Sequence, residues 1–323
     1  MDVSQLFEIG SRDFITIRGL IDAPVHVKCE ALNVAGSIKI KPALEMIESF
    51  ERSGRLTRGT ALIESSSGNL GIALSMITAA KGYPFTCVTD PNATSESIAM
   101  MKSFGAQVII VKEKDAQGGY LGTRIALIED LCRSNSALIW VNQYANPGNW
   151  RAHYHTTGPE ILQQFPLVDY LFVGVGTGGT FMGCARYLRE HSPRTRVVAV
   201  DVEGSVTFGA APGPRRIPGL GTSRRPEIID ETFASDVVYV SERETVQMCR
   251  RLVAHGMLAG GSTGTALAGI LKSATRLKQS DVVVTIMPDL GAKYIDTIYN
   301  DAWASSYGFI DPIETQSAIA LSH

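Results

Sequence analysis

An α/β fold built as two parallel-sheet domains, with helices on both faces of each sheet, is expected from three features of the chain. Short apolar runs alternate with longer runs of helical periodicity over most of its length. At 323 residues it is long for one hydrophobic core and suits two domains of roughly 150 residues each. Near the middle, residues 142–149 (Asn-Gln-Tyr-Ala-Asn-Pro-Gly-Asn) interrupt the periodicity with turn formers and mark a seam. The expected domains are 1–145 and 146–323.

Taken in order, an apolar segment at 25–27 leads into the loop 33–41, and a helix follows over 42–53 with Ala43, Leu44, Ile47 and Phe50 on one face. Apolar runs at 61–63, 85–88, 107–111 and 138–141 each read as a strand. They lead into helices at 68–80, 95–104, 120–132 and 150–165. The second series has strands at 170–175, 196–200, 237–240 and 281–287, with helices at 179–190, 245–255 and 263–277. Such βα alternation implies parallel strands covered on both faces. Residues 209–226, rich in Pro, Gly and Arg, form the longest stretch without periodicity, and long loops in compact domains are usually functional or mobile.

Composition narrows the function. With 45% apolar residues, 19% charged residues and a formal charge of −2, the chain reads as a metabolic protein with no nucleic-acid partner. No basic segment followed by an apolar one opens the chain, and no apolar run reaches transmembrane length, so a cytoplasmic protein without membrane contact is expected. The five cysteines stand singly and form no Cys-x-x-Cys pair, and so read as reduced, mostly buried thiols. The six histidines form no ligand cluster, and no metal is expected. His153 and His155, two apart on a helix, do not face one ligand.

Chemistry concentrates in one loop and three turns. Lys39 follows the small residues Ala35-Gly36-Ser37 and precedes a helix, which fixes an amine where loop becomes helix. Desolvated lysines form covalent bonds with carbonyl compounds, whereas the plain alternative is a surface lysine in a first helical turn. Glu64-Ser-Ser-Ser-Gly-Asn-Leu-Gly71 offers hydroxyls and free N–H groups at a helix N-terminus, a cradle for phosphate or carboxylate. Gly174-Val-Gly-Thr-Gly-Gly-Thr180 matches G-x-G-x-x-G, with Asp201 placed as a ribose-binding acid, so a nicotinamide oxidoreductase is one reading. The other is that Gly176–Thr180 wraps a single phosphate monoester. Gly260-Gly-Ser-Thr-Gly-Thr265 is a third such turn. A dinucleotide uses one turn of this kind; three of them and a loop lysine favour pyridoxal phosphate with an amino-acid substrate.

Lys39 in Asn-x-x-Gly-Ser-Ile-Lys, Ser66-Ser-Gly-Asn69, Asn142-Gln-Tyr-Ala-Asn-Pro147, Gly176-Thr-Gly-Gly-Thr180 and Gly261-Ser-Thr-Gly264 together resemble the fold-type II pyridoxal-phosphate enzymes, in their order and rough spacing. Cysteine synthase, cystathionine β-synthase and the tryptophan synthase β chain share this fold. The segments 115–124, 150–155, 203–206, 217–224 and 287–291 resemble the branch that makes N-(2-amino-2-carboxyethyl)-L-glutamate for 2,3-diaminopropionate, and so for siderophores or antibiotics.

The resemblance implies pyridoxal 5'-phosphate held covalently by Lys39, which also takes the Cα proton. It implies Asn69 at the cofactor's phenolic oxygen, Gly176, Thr177, Gly178, Gly179 and Thr180 at its phosphate, and Ser262 at its ring nitrogen. A neutral hydroxyl there favours β-elimination. Ser66, Ser67 and Gln143 would grip the substrate carboxylate. The implied reaction joins O-phospho-L-serine to L-glutamate in a homodimer, with the first thirty or so residues crossing to the second domain. Arg124 suits the leaving phosphate, or is a surface arginine on a helix. Arg224 would hold the glutamate side chain, and Tyr154 would face the bound substrate.

Sulfhydrylases of this family carry Asp-Arg after the lysine and Thr-Pro near the start. Here Ile40-Lys41 stands in place of the Asp-Arg pair, which argues against ordinary cysteine synthase activity on O-acetylserine or O-phosphoserine, while residues 9–13 lack the Thr-Pro, a departure that bears on the N-terminal crossing segment. A dehydratase releasing pyruvate is the nearest chemical competitor.

Overall fold

The computed structural model describes residues 13–57, 59–116 and 118–311, so residues 9–12, and Gln117 within the segment 115–124, lie outside it. The strands in chain order are β1 (Phe14–Ile17), β2 (Val25–Cys29), β3 (Ala61–Ser65), β4 (Phe85–Thr89), β5 (Gln107–Ile110), β6 (Leu138–Trp140), β7 (Tyr170–Gly174), β8 (Arg196–Val202), β9 (Asp236–Val240) and β10 (Val283–Met287). They form a four-stranded sheet ordered β5-β4-β3-β6 and a six-stranded sheet ordered β1-β2-β10-β7-β8-β9. Every pairing is parallel except β1 with β2, which run antiparallel. Strand β1 was not expected from the sequence. It pairs only with β2, which leaves it at the sheet edge, and Ile15 and Thr16 are exposed.

The helices are α1 (Ile40–Arg52), α2 (Asn69–Lys81), α3 (Ser95–Ser103), α4 (Leu121–Ser134), α5 (Gly148–His155), α6 (Thr157–Gln164), α7 (Gly179–His191), α8 (Glu242–Val253), α9 (Gly261–Lys272) and α10 (Asp301–Ser306). The single helix expected over 150–165 is two, α5 and α6, broken at Thr156 (φ −126°, ψ −72°). Pro159 explains the break, because it has no N–H to bond the carbonyl of His155 four residues back.

Burial follows from the residue pattern. All five positions of β10 are buried, as in a strand covered on both faces, and α9 is buried from Gly261 to Ile270. Helix α1 buries Ile40, Ala43, Met46, Ile47 and Phe50 at helical spacing. A fully buried Ile, Met or Phe there gains on the order of 1.5–3 kcal/mol before entropy is counted. Ser241 and Glu244 form a reciprocal capping box that starts α8, and Gly82 (φ 76°) ends α2 in the left-handed conformation.

Charge is also buried where β2, α1 and α6 meet. The Lys28 amine lies 3.2 Å from Glu30 and 2.7 Å from Glu160, and the Lys41 amine lies 2.7 Å and 2.8 Å from the same two carboxylates. Two cations and two anions thus compensate one another inside the fold, one of them, Lys41, two residues from Lys39.

Candidate functional site

The glycine-rich turn between β7 and α7 is shaped by close approaches. Gly178 lies at φ 88°, and a Cβ there would stand 2.3 Å from Ile229 Cδ1, so only glycine fits. The first N–H groups of α7 have no carbonyl to reach within the helix and point into the turn. Helix α5 packs hard against α7, because a Cβ on Gly179 would fall 2.0 Å from Asn149 Oδ1 and one on Gly183 would fall 2.3 Å from the Trp150 carbonyl. That contact brings two α5 side chains, one helical turn apart, over the turn. Asn149 Nδ2 donates to Thr177 Oγ1 at 3.1 Å and to the Gln143 carbonyl at 2.7 Å. The His153 ring nitrogen Nε2 lies 3.2 Å from Thr180 Oγ1.

Lys39, Asn69, Gly176–Thr180, Gly219, Ser262 and Asp289 line one narrow slot. Lys39 sits at the N-terminus of α1, and its loop is tied down from both sides. Asn33 Nδ2 donates to the carbonyls of Glu30 (2.7 Å) and Ser37 (2.9 Å), and the Ile38 N–H donates to the Pro288 carbonyl (2.8 Å). Burial pushes the Lys39 amine below its ordinary pKa, and the Asp289 charge opposes that shift.

Asp289 is the charged centre of the slot. Its Oδ2 accepts from Asn69 Nδ2 and from the Tyr294 hydroxyl, both at 2.8 Å, while its buried Oδ1 has no hydrogen-bond partner. The carboxylate lies over the N-terminus of α9, where a Cβ on Gly260 would meet Oδ1 at 1.9 Å. Burial pushes its pKa up, against those two hydrogen bonds and the charges of Lys293 and Lys39. Lys293 also donates to Asn69 Oδ1.

A second compartment opens from the slot and shares Lys39, Asn69, Thr177 and Gly219 with it. Ser66, Ser67, Arg124, Gln143, Tyr144 and Lys293 are among its other polar residues, and no carboxylate belongs to the lining among the described residues. Ser66 Oγ accepts from the N–H groups of Gly68 (3.3 Å) and Gly71 (2.9 Å), which leaves its own proton to donate inward. Asn142 takes φ 53°, a left-handed conformation asparagine tolerates, and turns the chain so that Gln143 and Tyr144 reach this wall. Arg124 Nε lies 3.3 Å from Asp90 Oδ2, yet neither Nε nor Nη1 makes a hydrogen bond. Behind the wall, burial raises the Glu64 carboxyl to about 7 although it accepts from the backbone of Ser65 and Gln143 and from Trp140.

The structure therefore brings together Lys39, Asn69, Gly176, Thr177, Gly178, Gly179, Thr180, Ser262, Ser66, Ser67, Gln143 and Arg124. It does not bring Tyr154 there. The Tyr154 ring packs on Trp150, His155 and Tyr187 and its hydroxyl donates to Glu190 at 2.5 Å, because Asn149 and His153 occupy the inward face of α5. Arg224 ion-pairs with Glu227 and lines a separate hollow with Asp115, Leu121 and Ser223, outside the chamber wall. Asp201 is fully buried and its Oδ1 accepts from the Val202 N–H, so it presents no carboxylate to a ribose.

Asp289, Lys293, Tyr144 and Asn149 had no role in the sequence-based expectations. An aspartate two residues after an apolar strand was the signal for Asp289, since binding crevices lie at the carboxyl ends of parallel strands. Lys293 and Asn149 gave no signal outside the folded chain.

A family model described as pyridoxal-phosphate dependent enzyme matches residues 13–289. An O-ureido-L-serine synthase structure is similar at 29% identity and TM-score 0.85, over 94% of this chain and 99% of that one. A hydrogen sulfide-producing enzyme from Fusobacterium nucleatum is similar at 30% identity and TM-score 0.84, over 91% of this chain and 100% of that one. An O-acetylserine dependent cystathionine beta-synthase from Helicobacter pylori matches at 30% identity and TM-score 0.84, over 93% and 100%.

Proposed function

We propose that this chain, which belongs to the pyridoxal-phosphate dependent enzyme family, is a β-replacement synthase that joins O-phospho-L-serine to L-glutamate. The products are N-(2-amino-2-carboxyethyl)-L-glutamate and phosphate, on a route to 2,3-diaminopropionate and from there to siderophores or antibiotics. The slot fits the cofactor. The glycine cradle, whose backbone a Cβ would obstruct, suits its phosphate, Lys39 suits its carbonyl carbon and Asn69 its phenolic oxygen. Ser262, in the first turn of α9, suits the ring nitrogen. Bound pyridoxal phosphate supplies the electron sink that makes a Cα proton removable.

The charge of the substrate chamber carries the choice of substrate. Lys39, Arg124 and Lys293 line it and no carboxylate does, which suits a donor bearing both a carboxylate and a phosphate. Ser66, Ser67 and Gln143 bind the donor carboxylate. Arg124, with Nε and Nη1 not engaged in hydrogen bonds, receives the phosphate. Lys39 removes the Cα proton, and the Cβ–O bond breaks as phosphate leaves. The glutamate amine then forms the Cβ–N bond and loses a proton, and a proton returns to Cα.

Purified protein given O-phospho-L-serine or O-acetyl-L-serine, each with glutamate, ammonia or sulfide, tests this directly. The proposal expects phosphate release that requires glutamate. Turnover only with O-acetyl-L-serine and sulfide makes the chain a sulfhydrylase instead, and pyruvate formed without any nucleophile makes it a dehydratase.

A homodimer and lobes divided near residue 145, with the first thirty or so residues crossing to the second lobe, belong to the same proposal. Exposed Leu32 and Val34 beside the lysine loop support the first, and light scattering tests it. No helix among the described residues is long and apolar enough to cross a membrane.

A further inference from the structure

We infer that a buried hydrogen-bond relay running from Lys41 through Thr157 and His153 fixes the direction of the Thr180 hydroxyl, leaving its proton free for the cofactor phosphate. The inference rests on Gly176–Thr180 being the phosphate-binding turn, and it assigns positioning roles to three residues outside that turn.

The direction follows from what each group can do. The Lys41 ammonium only donates, and its three N–H bonds have three acceptors: Glu30 Oε1 at 2.7 Å, Glu160 Oε2 at 2.8 Å and Thr157 Oγ1 at 3.3 Å. Thr157 Oγ1 therefore accepts from Lys41. Its other partner among the described residues is His153 Nδ1, 2.9 Å away. If His153 carried its proton on Nδ1, the threonine oxygen would accept twice, and its own buried O–H would have no acceptor, at the cost of an unsatisfied donor. Thr157 instead donates to Nδ1.

The single imidazole proton then belongs on Nε2, provided the ring is neutral. His153 is fully buried, and burial together with the charges of Lys41, Lys39 and Lys28 holds it well below the ordinary histidine range. Nε2–H donates to Thr180 Oγ1 at 3.2 Å. That hydroxyl, having accepted, keeps its proton to give. A phosphate oxygen only accepts, so the reverse orientation, with Thr180 donating to the ring, would withdraw one donor from the turn.

The test uses holoenzyme with 15N-labelled histidine, the His153 signals being assigned by their loss in His153→Gln. The expected spectrum shows protonated Nε2 and unprotonated Nδ1, unchanged from about pH 6 to 8 where an ordinary histidine titrates. A protonated Nδ1, or a doubly protonated ring, overturns the relay. Cofactor dissociation provides the second measurement. Thr157→Val should weaken cofactor binding about three- to tenfold, the loss expected for one hydrogen bond, and Thr157→Ser should restore it. If Thr157→Val does not fold, the tautomer in the unaltered enzyme decides alone. Unchanged cofactor affinity in Thr180→Val, with the expected tautomer present, overturns the phosphate assignment and the relay's purpose with it. A Nδ1 proton together with weakened binding in Thr180→Val overturns the relay only.

Discussion

Asn69 and Asp289, 220 positions apart, are joined by a 2.8 Å hydrogen bond that ties the start of α2 to the end of β10 and so links the two sheets. The same carboxylate lies within electrostatic reach of two amines, Lys39 and Lys293, and raises the pKa of each against the lowering by burial. Asp289→Asn keeps the shape and removes the charge. Lys39 should then lose its proton at lower pH, and the acid limb of the rate of covalent cofactor capture, followed by visible absorbance, should move to lower pH. A limb that stays in place would show that the Asp289 charge does not reach Lys39.

Arg124 separates the proposed donors. Removing a guanidinium that makes charge-assisted hydrogen bonds costs roughly 1.5–3 kcal/mol, or about 10- to 100-fold in kcat/KM. Arg124→Ala should show that loss with O-phospho-L-serine and about threefold or less with O-acetyl-L-serine. Arg124→Lys should recover little, because an ammonium cannot present two parallel donors. Equal losses with both donors would mean that Arg124 only supports the chamber wall through Asp90.

Gly183→Ala tests the tight seam between α5 and α7. The added Cβ would lie 2.3 Å from the Trp150 carbonyl and 2.5 Å from His153 Cβ, and backbone must shift to admit it. Such overpacking costs about 1–3 kcal/mol. A lowered Tm is expected, together with weaker cofactor binding, since Asn149 and His153 would lift from the turn. Lower Tm with unchanged binding would separate the helix contact from the turn.

Glu64 gives a pH signature to stability. Its carboxyl, ordinarily near 4.5, is raised to about 7 in the folded protein, chiefly by burial. Between those values the folded chain holds a proton that the unfolded chain has lost, so stability is full below 4.5 and falls as pH rises to about 7. The fall is on the order of 3 kcal/mol. Urea midpoints measured across this range should show the decline, and Glu64→Gln should lack it whatever its absolute stability. An identical slope in the variant would place the titration elsewhere.

Most of the site was legible because its parts are local. Ser66-Ser-Gly-Asn69 and Gly176–Thr180 each carry the turn and the helix start in a few consecutive residues, and the strands before them open on apolar runs. What was not legible depends on rotation or on distant approach. Successive residues on α5 differ by about 100° around the axis, so the step from His153 to Tyr154 separates the inward face from the outward one, and only the packing of Gly179 and Gly183 decides which is which. Asp289 reaches the slot, and Lys293 the adjoining compartment, by way of β10, whose place between β2 and β7 no local pattern announces. The break at Thr156 was written in Pro159, and helical periodicity masked it.

The two lysines and two glutamates that meet between β2, α1 and α6 constrain how this sequence can drift. Losing one member of a buried ion pair typically costs about 3–5 kcal/mol, whereas replacing a whole charged set with apolar residues of similar volume is often tolerated. Single substitutions at Lys28, Glu30, Lys41 or Glu160 should therefore be eliminated one at a time, while combined replacement spares the fold and forfeits the Lys41 donation to Thr157. These four positions, on β2 and the residue after it, α1 and α6, should behave as one inherited unit, and a homologue that has changed one of them should have changed its partners as well.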